Sequence, residues 1–270
     1  MSILAVAAEL EDFDSQTGDV ANGVESSFDP GYARGHVEVG FNGATVTKTF
    51  TRQTSGTFWL TALTKSVYFS SGLVGRFLML LDGSDERLGL RTTEVGGIGR
   101  VQLIKYDGAD ETVLQTSTSI GLGDAVRLDI CVSGYGASNR VRVWTEVDGG
   151  GTQSLEIDYT GDLTDGGSTG LDGVKIGAIT KQEDLFVGSL IVADQDTRRM
   201  RLATLVPDGA GASNTFTSGA YSDVDEMVTN TADKLVSGTA AQVFQATVTA
   251  DPAGTWDVLA VQVSAVASCD

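Results

Sequence analysis

Val126-Arg127-Leu128-Asp129-Ile130-Cys131-Val132 alternates apolar and polar residues over the length of a strand. Successive side chains of a β-strand leave on opposite faces, so Leu128, Ile130 and Val132 share one uncharged face. The run Arg140-Val141-Arg142-Val143-Trp144-Thr145-Glu146-Val147 repeats the pattern, with Val141, Val143 and Val147 opposite Arg140, Arg142 and Glu146. Each strand therefore predicts a sheet with one buried face and one facing water.

Outward from this pair, similar runs recur at roughly ten-residue spacing, as in a sandwich or barrel. They are Thr57–Leu63, Arg76–Leu81, Glu86–Thr92, Val101–Tyr106, Ala125–Val132, Arg140–Val147, Leu155–Tyr159, Val174–Ile179 and Leu185–Ala193. Leu81-Asp-Gly83, Tyr106-Asp-Gly108 and Val147-Asp-Gly149 each place Asp-Gly after a strand, a hairpin signal. No segment keeps a long 3.6-residue apolar period, so the expected fold is all-β with little helix. The texture changes near Pro207, where a Gly/Ser/Asn/Thr-rich stretch precedes two further strand candidates, Gln242–Thr249 and Trp256–Ser264. The expected organisation is an arm or edge strand over 1–20, a sandwich over 21–200 and a small β-rich unit over 201–270.

Composition narrows the function classes. The 270 residues include 34 glycines without a Gly-X-Y period and only 3 prolines, which suits many turns and excludes collagen. Eighteen basic against 36 acidic residues give a formal net charge of −18, the wrong sign for gripping phosphates. The densest basic group, Arg198, Arg199 and Arg201, is too short for a nucleic-acid stripe. No apolar run reaches the roughly 20 residues of a membrane helix. Met1–Leu10 lacks the basic start of a signal peptide and runs into acidic residues. Synthesis in a bacterial cytosol without export fits these features, and so does release by lysis. Two cysteines make no disulfide framework.

Several constellations bear on chemistry. Glu156-Ile-Asp158-Tyr-Thr160 would line one groove, like the Glu-x-Asp-x-Glu strand of laminarinase-type hydrolases, but Thr160 stands where the general acid belongs. No catalytic residue is therefore expected. Asp107 with Asp110, Asp162 with Asp165 and Asp194 with Asp196 are the candidates for Ca²⁺, although none has EF-hand spacing. No other cofactor is implied. His36 is the one histidine, which argues against a Ser-His-Asp triad. Cys131 fits a second packed layer, and Cys269 is a candidate for an intermolecular disulfide. Tyr135, in a Gly-Tyr-Gly loop, and Trp144, on the charged face of its strand, are the candidate glycan-binding aromatics. Asp194 and Asp196 flank a strand end and are placed to hold Arg198 or Arg199 in a bidentate clamp between the sandwich and the C-terminal unit.

The stretch Leu190-Ile-Val-Ala-Asp194-Gln-Asp196-Thr197-Arg198-Arg-Met-Arg-Leu-Ala-Thr-Leu-Val-Pro207 resembles a segment recurring in virion structural proteins of tailed bacteriophages. There a concanavalin A-like (LamG-like) sandwich ends in Ile-Val-Ala-Asp-x-Asp-Thr-Arg, followed by a Leu-x-Pro turn, a Gly/Asn-rich region and an acidic Val-Asp-Glu. Pro207, Gly209–Asn214 and Val224-Asp225-Glu226 correspond, as do Phe58-Trp59-Leu60, Arg127-Leu-Asp129 and Tyr159-Thr-Gly-Asp-Leu163 upstream. Phe216 stands where relatives carry Trp.

The resemblance implies a jelly-roll sandwich in a virion component of tail-fibre, minor-tail or collar type. The leading expectation is a non-enzymatic structural protein docked in several copies on other virion proteins, hence a homo-oligomer. Because the chain stops at Asp270, a compact neck, tail or fibre-associated decoration is expected. The rival expectations are a receptor-binding protein for host surface polysaccharide and, behind it, a glycan depolymerase. No nucleic-acid or membrane partner is expected.

Overall fold

The computed structural model describes residues 2–8, 10–23, 36–40, 43–66, 75–95, 98–108, 110–118, 126–136, 138–147, 152–164, 170–179, 185–202, 207–220, 222 and 243–248. Among these, the strands run β1 (Ile3–Ala7), β2 (Ser15–Thr17), β3 (Val20–Gly23), β4 (His36–Val39), β5 (Thr45–Gln53) and β6 (Thr57–Ser66). They continue with β7 (Gly75–Asp82), β8 (Asp85–Val95), β9 (Ile98–Tyr106), β10 (Glu111–Thr116), β11 (Val126–Ser133) and β12 (Asn139–Val147). The last are β13 (Ser154–Gly161), β14 (Leu171–Gly177), β15 (Leu185–Ala193), β16 (Pro207–Asn214) and β17 (Phe244–Val248). Among the described residues, helix is confined to a 3-10 turn at Leu10–Asp12 and a 3-10 residue at Ser222.

Sheet A has eight strands in the order β13-β12-β11-β6-β15-β4-β3, with β1 also paired to β15. Sheet B has seven, in the order β10-β9-β8-β7-β14-β5-β2. Between β1 and β15 the chain stays in sheet A from β3 to β4 and from β11 to β13 and in sheet B from β7 to β10, crosses between the sheets at every other step, and neighbours pair antiparallel throughout. This is the jelly-roll sandwich expected, and β16 with β17 forms a separate two-stranded sheet.

Between the sheets, Leu60, Leu128, Val132 and Val143 meet Leu78, Leu80, Leu90, Leu103 and Ile176, all at most 1% exposed. Each such side chain contributes about 1.5–3 kcal/mol on leaving water. The Asp82–Asp85 turn carries Gly83 at φ 62°, a conformation that suits glycine and closes β7 onto β8 as the Asp-Gly pair predicts.

The anticipated strands from Thr57 to Ala193 are all present, several of them longer than expected. Unanticipated strands have identifiable causes. In β5, Thr-Val-Thr-Lys-Thr-Phe-Thr-Arg-Gln, threonine reads as polar although its branched side chain suits a strand, while Val46 and Phe50 fill the core. In β10 no residue is fully buried, so alternation is weak. The Gly/Ala-rich β16 has no apolar pattern to read. Trp256–Ser264 lies outside the described residues.

One expectation is corrected. The second face of β11 is not wet, because seven consecutive residues from Val126 to Val132 are buried on both sides. A polypeptide segment covers that face.

Candidate functional site

The covering segment is Asp194–Arg201, which leaves the end of β15 and crosses the outer face of β6, β11 and β12. Its anchor is a buried polar network. Asp129, fully buried, accepts from Arg127 Nε at 3.0 Å, from Gln153 Nε2 at 3.0 Å and from the Thr61 hydroxyl. Arg127 in turn donates to the backbone oxygens of Thr197 (2.7 Å) and Met200 (2.9 Å). The hydroxyls of Thr61 and Thr197 are 2.7 Å apart, and Arg201 lies 3.6 Å from Glu146. The charged groups of this second layer are buried but engaged, which is what makes their burial tolerable.

Beside the network, Trp59 on β6 and Trp144 on β12 stack with centroids 5.3 Å apart and planes 19° apart, packing with Cys131 into a small apolar cluster. Arg198 caps them, its guanidinium carbon 4.6 Å from the Trp144 ring centre and 5.1 Å from that of Trp59. Asp196 fixes that guanidinium, accepting from Arg198 Nε at 2.9 Å, and the hydrogen bond holds the Asp196 carboxyl below its ordinary range.

This arrangement corrects the predicted glycan aromatics. Trp144 is 8% exposed under Arg198, and Tyr135 is 8% exposed within the core cluster, so neither ring presents a face to a sugar. A strand face that reads as charged held an indole because its arginines pack on it. Of the predicted clamp, Asp196 and Arg198 do meet in a bidentate pair. Asp194 does not join them: its Oδ1 accepts from the Ser2 amide at 2.7 Å, which lowers its pKa. Cys269 lies outside the described residues.

The hydrolase-like strand is also rearranged. A bulge between Val143 and Trp144 leaves Glu156 as the extra residue of β13, so alternation breaks there. Glu156 accepts from the Thr118 hydroxyl at 2.8 Å, beyond the end of β10 in the other sheet. Asp158 instead takes Arg140 Nε at 2.6 Å, an interaction that depresses its pKa. The single groove expected for Glu156, Asp158 and Thr160 is therefore absent.

The aspartates considered for calcium serve their own turns. Asp107 Oδ1 accepts from the Asp110 amide at 2.7 Å, and Asp162 Oδ1 from the Thr164 amide at 2.9 Å. Asp165 lies outside the described residues. Among the described residues, no group of three or more His, Cys, Asp or Glu side chains is placed to hold a metal. His36 is 1% exposed, tilted against Phe186 with centroids 4.7 Å apart.

The strongest candidate site lies on the opposite side of the molecule, on the outer face of sheet B. Its floor is apolar: Met79, Leu81 and Ile104 pack there at 3% exposure or less. Gly89, level with Met79 and Ile104, has no room for a side chain, since a Cβ would lie 2.4 Å from Met79 Sδ. Over this floor, side chains on neighbouring strands form an alternating chain of charges. Lys175 Nζ donates to Glu86 Oε1 at 3.0 Å, and Glu86 also binds Arg76. Arg76 Nε lies 3.9 Å from Glu111 Oε2, and Glu111 binds Arg91.

Neighbouring groups extend this chain. Arg91 Nε donates to Gln102 Oε1 at 2.7 Å, and the Gln102 amide passes the chain to Thr116 at 3.0 Å. The Arg76 guanidinium carbon lies 4.3 Å over the centre of the Tyr106 ring. At the margin Arg100 donates to the Ser117 carbonyl oxygen at 2.9 Å, while its Nε is buried without a hydrogen-bond partner. Sequence reading missed this site. The signal was there, as Arg91, Gln102 and Lys175 occupy the polar phases of their strands, but alternation alone cannot say which polar faces become neighbours.

No family model matches the chain, and no curated protein matches it. Among solved structures, the chain is similar to the exoplasmic/lumenal domain of VIP36 in a Ca²⁺/Man-bound form, with TM-score 0.45 and 12% identity, covering 68% of this chain and 85% of that one. It is similar to Cellulose induced protein, Cip1, with TM-score 0.44 and 13% identity, over 72% and 92% of the two chains. It is similar to carbohydrate binding module CBM66 from Bacillus subtilis, with TM-score 0.42 and 11% identity, over 70% and 96%. Likeness of this degree carries no information on ligand or activity.

Proposed function

We propose that the chain is a non-enzymatic, glycan-recognising sandwich carried on a tailed-phage particle. The observation that supports it is the outer face of sheet B, where oriented guanidinium, amide and carboxylate groups stand over an apolar floor. Few, fixed polar groups on an apolar base are what a hydroxyl-rich ligand needs for orientation and specificity. The placement on a phage particle, among other virion proteins, rests on the resemblance of Leu190–Pro207. The non-catalytic part rests on Thr160 standing where the second outer carboxyl group would be needed, since retaining hydrolysis uses two carboxyl groups about 5–5.5 Å apart across one groove.

The test is binding of the purified chain to host-surface polysaccharide, compared with the Arg91→Ala variant. Binding weakened about tenfold in the variant, with no loss of polymer length on incubation, supports the reading. Binding that ignores the substitution rejects this face, and shortened polymer rejects the non-enzymatic role.

A second reading, a decoration that docks in multiple copies and binds no sugar, is favoured by one fact. Among the described residues the exposed large hydrophobics are Val113, Leu155 and Val243, none of them an aromatic platform for a sugar ring. An electron-microscopy map of the particle with sheet B against a neighbouring protein would decide for this second reading.

A further inference from the structure

We infer that the ligand of the sheet B face is an acidic, carboxylate-bearing polysaccharide, an inference resting on the glycan-recognition reading above. The outward strand positions of β7, β8, β9, β10 and β14 carry Arg76, Arg91, Arg100 and Lys175 against Glu86 and Glu111. Four cations face two carboxylates, an excess of two positive charges in a chain whose formal net charge is −18. An anionic polymer is repelled by the protein at large and drawn to this face, so charge selects both the ligand and its orientation.

The internal pairing does not exhaust the cations. Glu86 is shared by Arg76 and Lys175, and Glu111 by Arg76 and Arg91. The two ends of the chain, Lys175 and Arg91, therefore each hold half of a carboxylate. Arg100 has no acidic partner among the described residues and spends one nitrogen on the Ser117 carbonyl oxygen. Lys175 lies on β14 and Arg91 on β8, with β7 between, so the end cations stand on strands about 10 Å apart. An extended polymer lying across the strands can meet both.

The side chains are also prearranged. Arg76 is 13% and Arg91 22% exposed, held by Glu86 and Glu111 in the free protein. Much of the side-chain ordering that a ligand would otherwise have to impose is already done. A sugar carboxylate can take paired N–H donors from a guanidinium, a geometry that a neutral hydroxyl cannot match in strength.

The test titrates the purified chain with polygalacturonate, dextran sulfate and neutral dextran. It is repeated with Arg100→Ala, Lys175→Ala and Glu111→Gln, each checked for unchanged circular dichroism. Polygalacturonate should bind and dextran should not, with affinity falling about tenfold between low and high salt. Arg100→Ala and Lys175→Ala should each weaken binding about fivefold, whereas Glu111→Gln should strengthen it by removing a competing negative charge while its amide oxygen still accepts from Arg91.

If neutral host polysaccharide binds through this face and polygalacturonate does not, glycan recognition stands and the acidic ligand is overturned. If no polysaccharide of either kind binds, both fall. Binding of dextran sulfate alone overturns the carboxylate class, as does polygalacturonate binding that none of the three substitutions alters.

Discussion

Arg127 and Asp129, two residues apart on one face of β11, form an ion pair with Nε 3.0 Å from Oδ2, and neither side chain is open to water. Neighbours along a strand separated by one residue usually point into solvent or into the core. Here they point into a second layer made by the segment that follows β15.

Asp129→Ala should cost about 3–5 kcal/mol, because it leaves the Arg127 guanidinium buried without its counter-charge. Chemical denaturation measures this directly. Replacing both residues, as Arg127→Met with Asp129→Leu, should lose less than the single change. A double variant weaker than Asp129→Ala would mean that the strap depends on the charges themselves.

Arg198→Ala should uncap the stacked indoles of Trp59 and Trp144 at a cost of about 1 kcal/mol. Tryptophan emission should shift to the red as water reaches the pair. Unchanged emission would show that other atoms shield the rings.

Acid should loosen the same cap. The Arg198 hydrogen bond lowers the folded-state pKa of Asp196, so its contribution is complete above the unfolded aspartate value of about 3.9. That contribution fades as pH falls through the lower folded value. Tryptophan emission should therefore hold steady through the ordinary aspartate range and change only below it, and Asp196→Asn should remove this step. A change centred above the ordinary range would contradict the pairing.

The alternation in Val126–Val132 and Arg140–Val147 announced the sandwich because a period of two admits one reading when one side is apolar. It could not announce that Asp194–Arg201 returns over the other side, since that contact joins residues about seventy positions apart (Arg127 to Thr197). Trp144 was legible as odd, an indole on a charged face, yet oddness alone fitted both a sugar platform and a packed second layer. Glu156 was misplaced for a local reason, as a bulge shifts the phase of β13 without leaving a mark in residue type. The lattice from Lys175 to Gln102 depends on strand order, and sheet order is set by long-range pairing.

Gly89→Ala tests the floor of the sheet B face. The added Cβ would meet Leu78 O at 2.2 Å and Met79 Sδ at 2.4 Å, so the strands must part or Met79 must move. A loss of about 1–3 kcal/mol is expected, with weaker polysaccharide binding in the protein that remains folded. A variant as stable as the parent would show that the floor yields freely.

The Ser2–Asp194 contact has an engineering consequence. Ser2 donates its amide to the Asp194 carboxylate and accepts from the Asp194 amide at 3.1 Å, so the strand that enters the sandwich and the strand that leaves it open at one spot. Because Asp194–Arg201 then seals the outer face of β11, a graft of the sandwich into a surface loop must carry the chain from Ser2 through Arg201, while the exposed Gly83 turn offers a place for new termini.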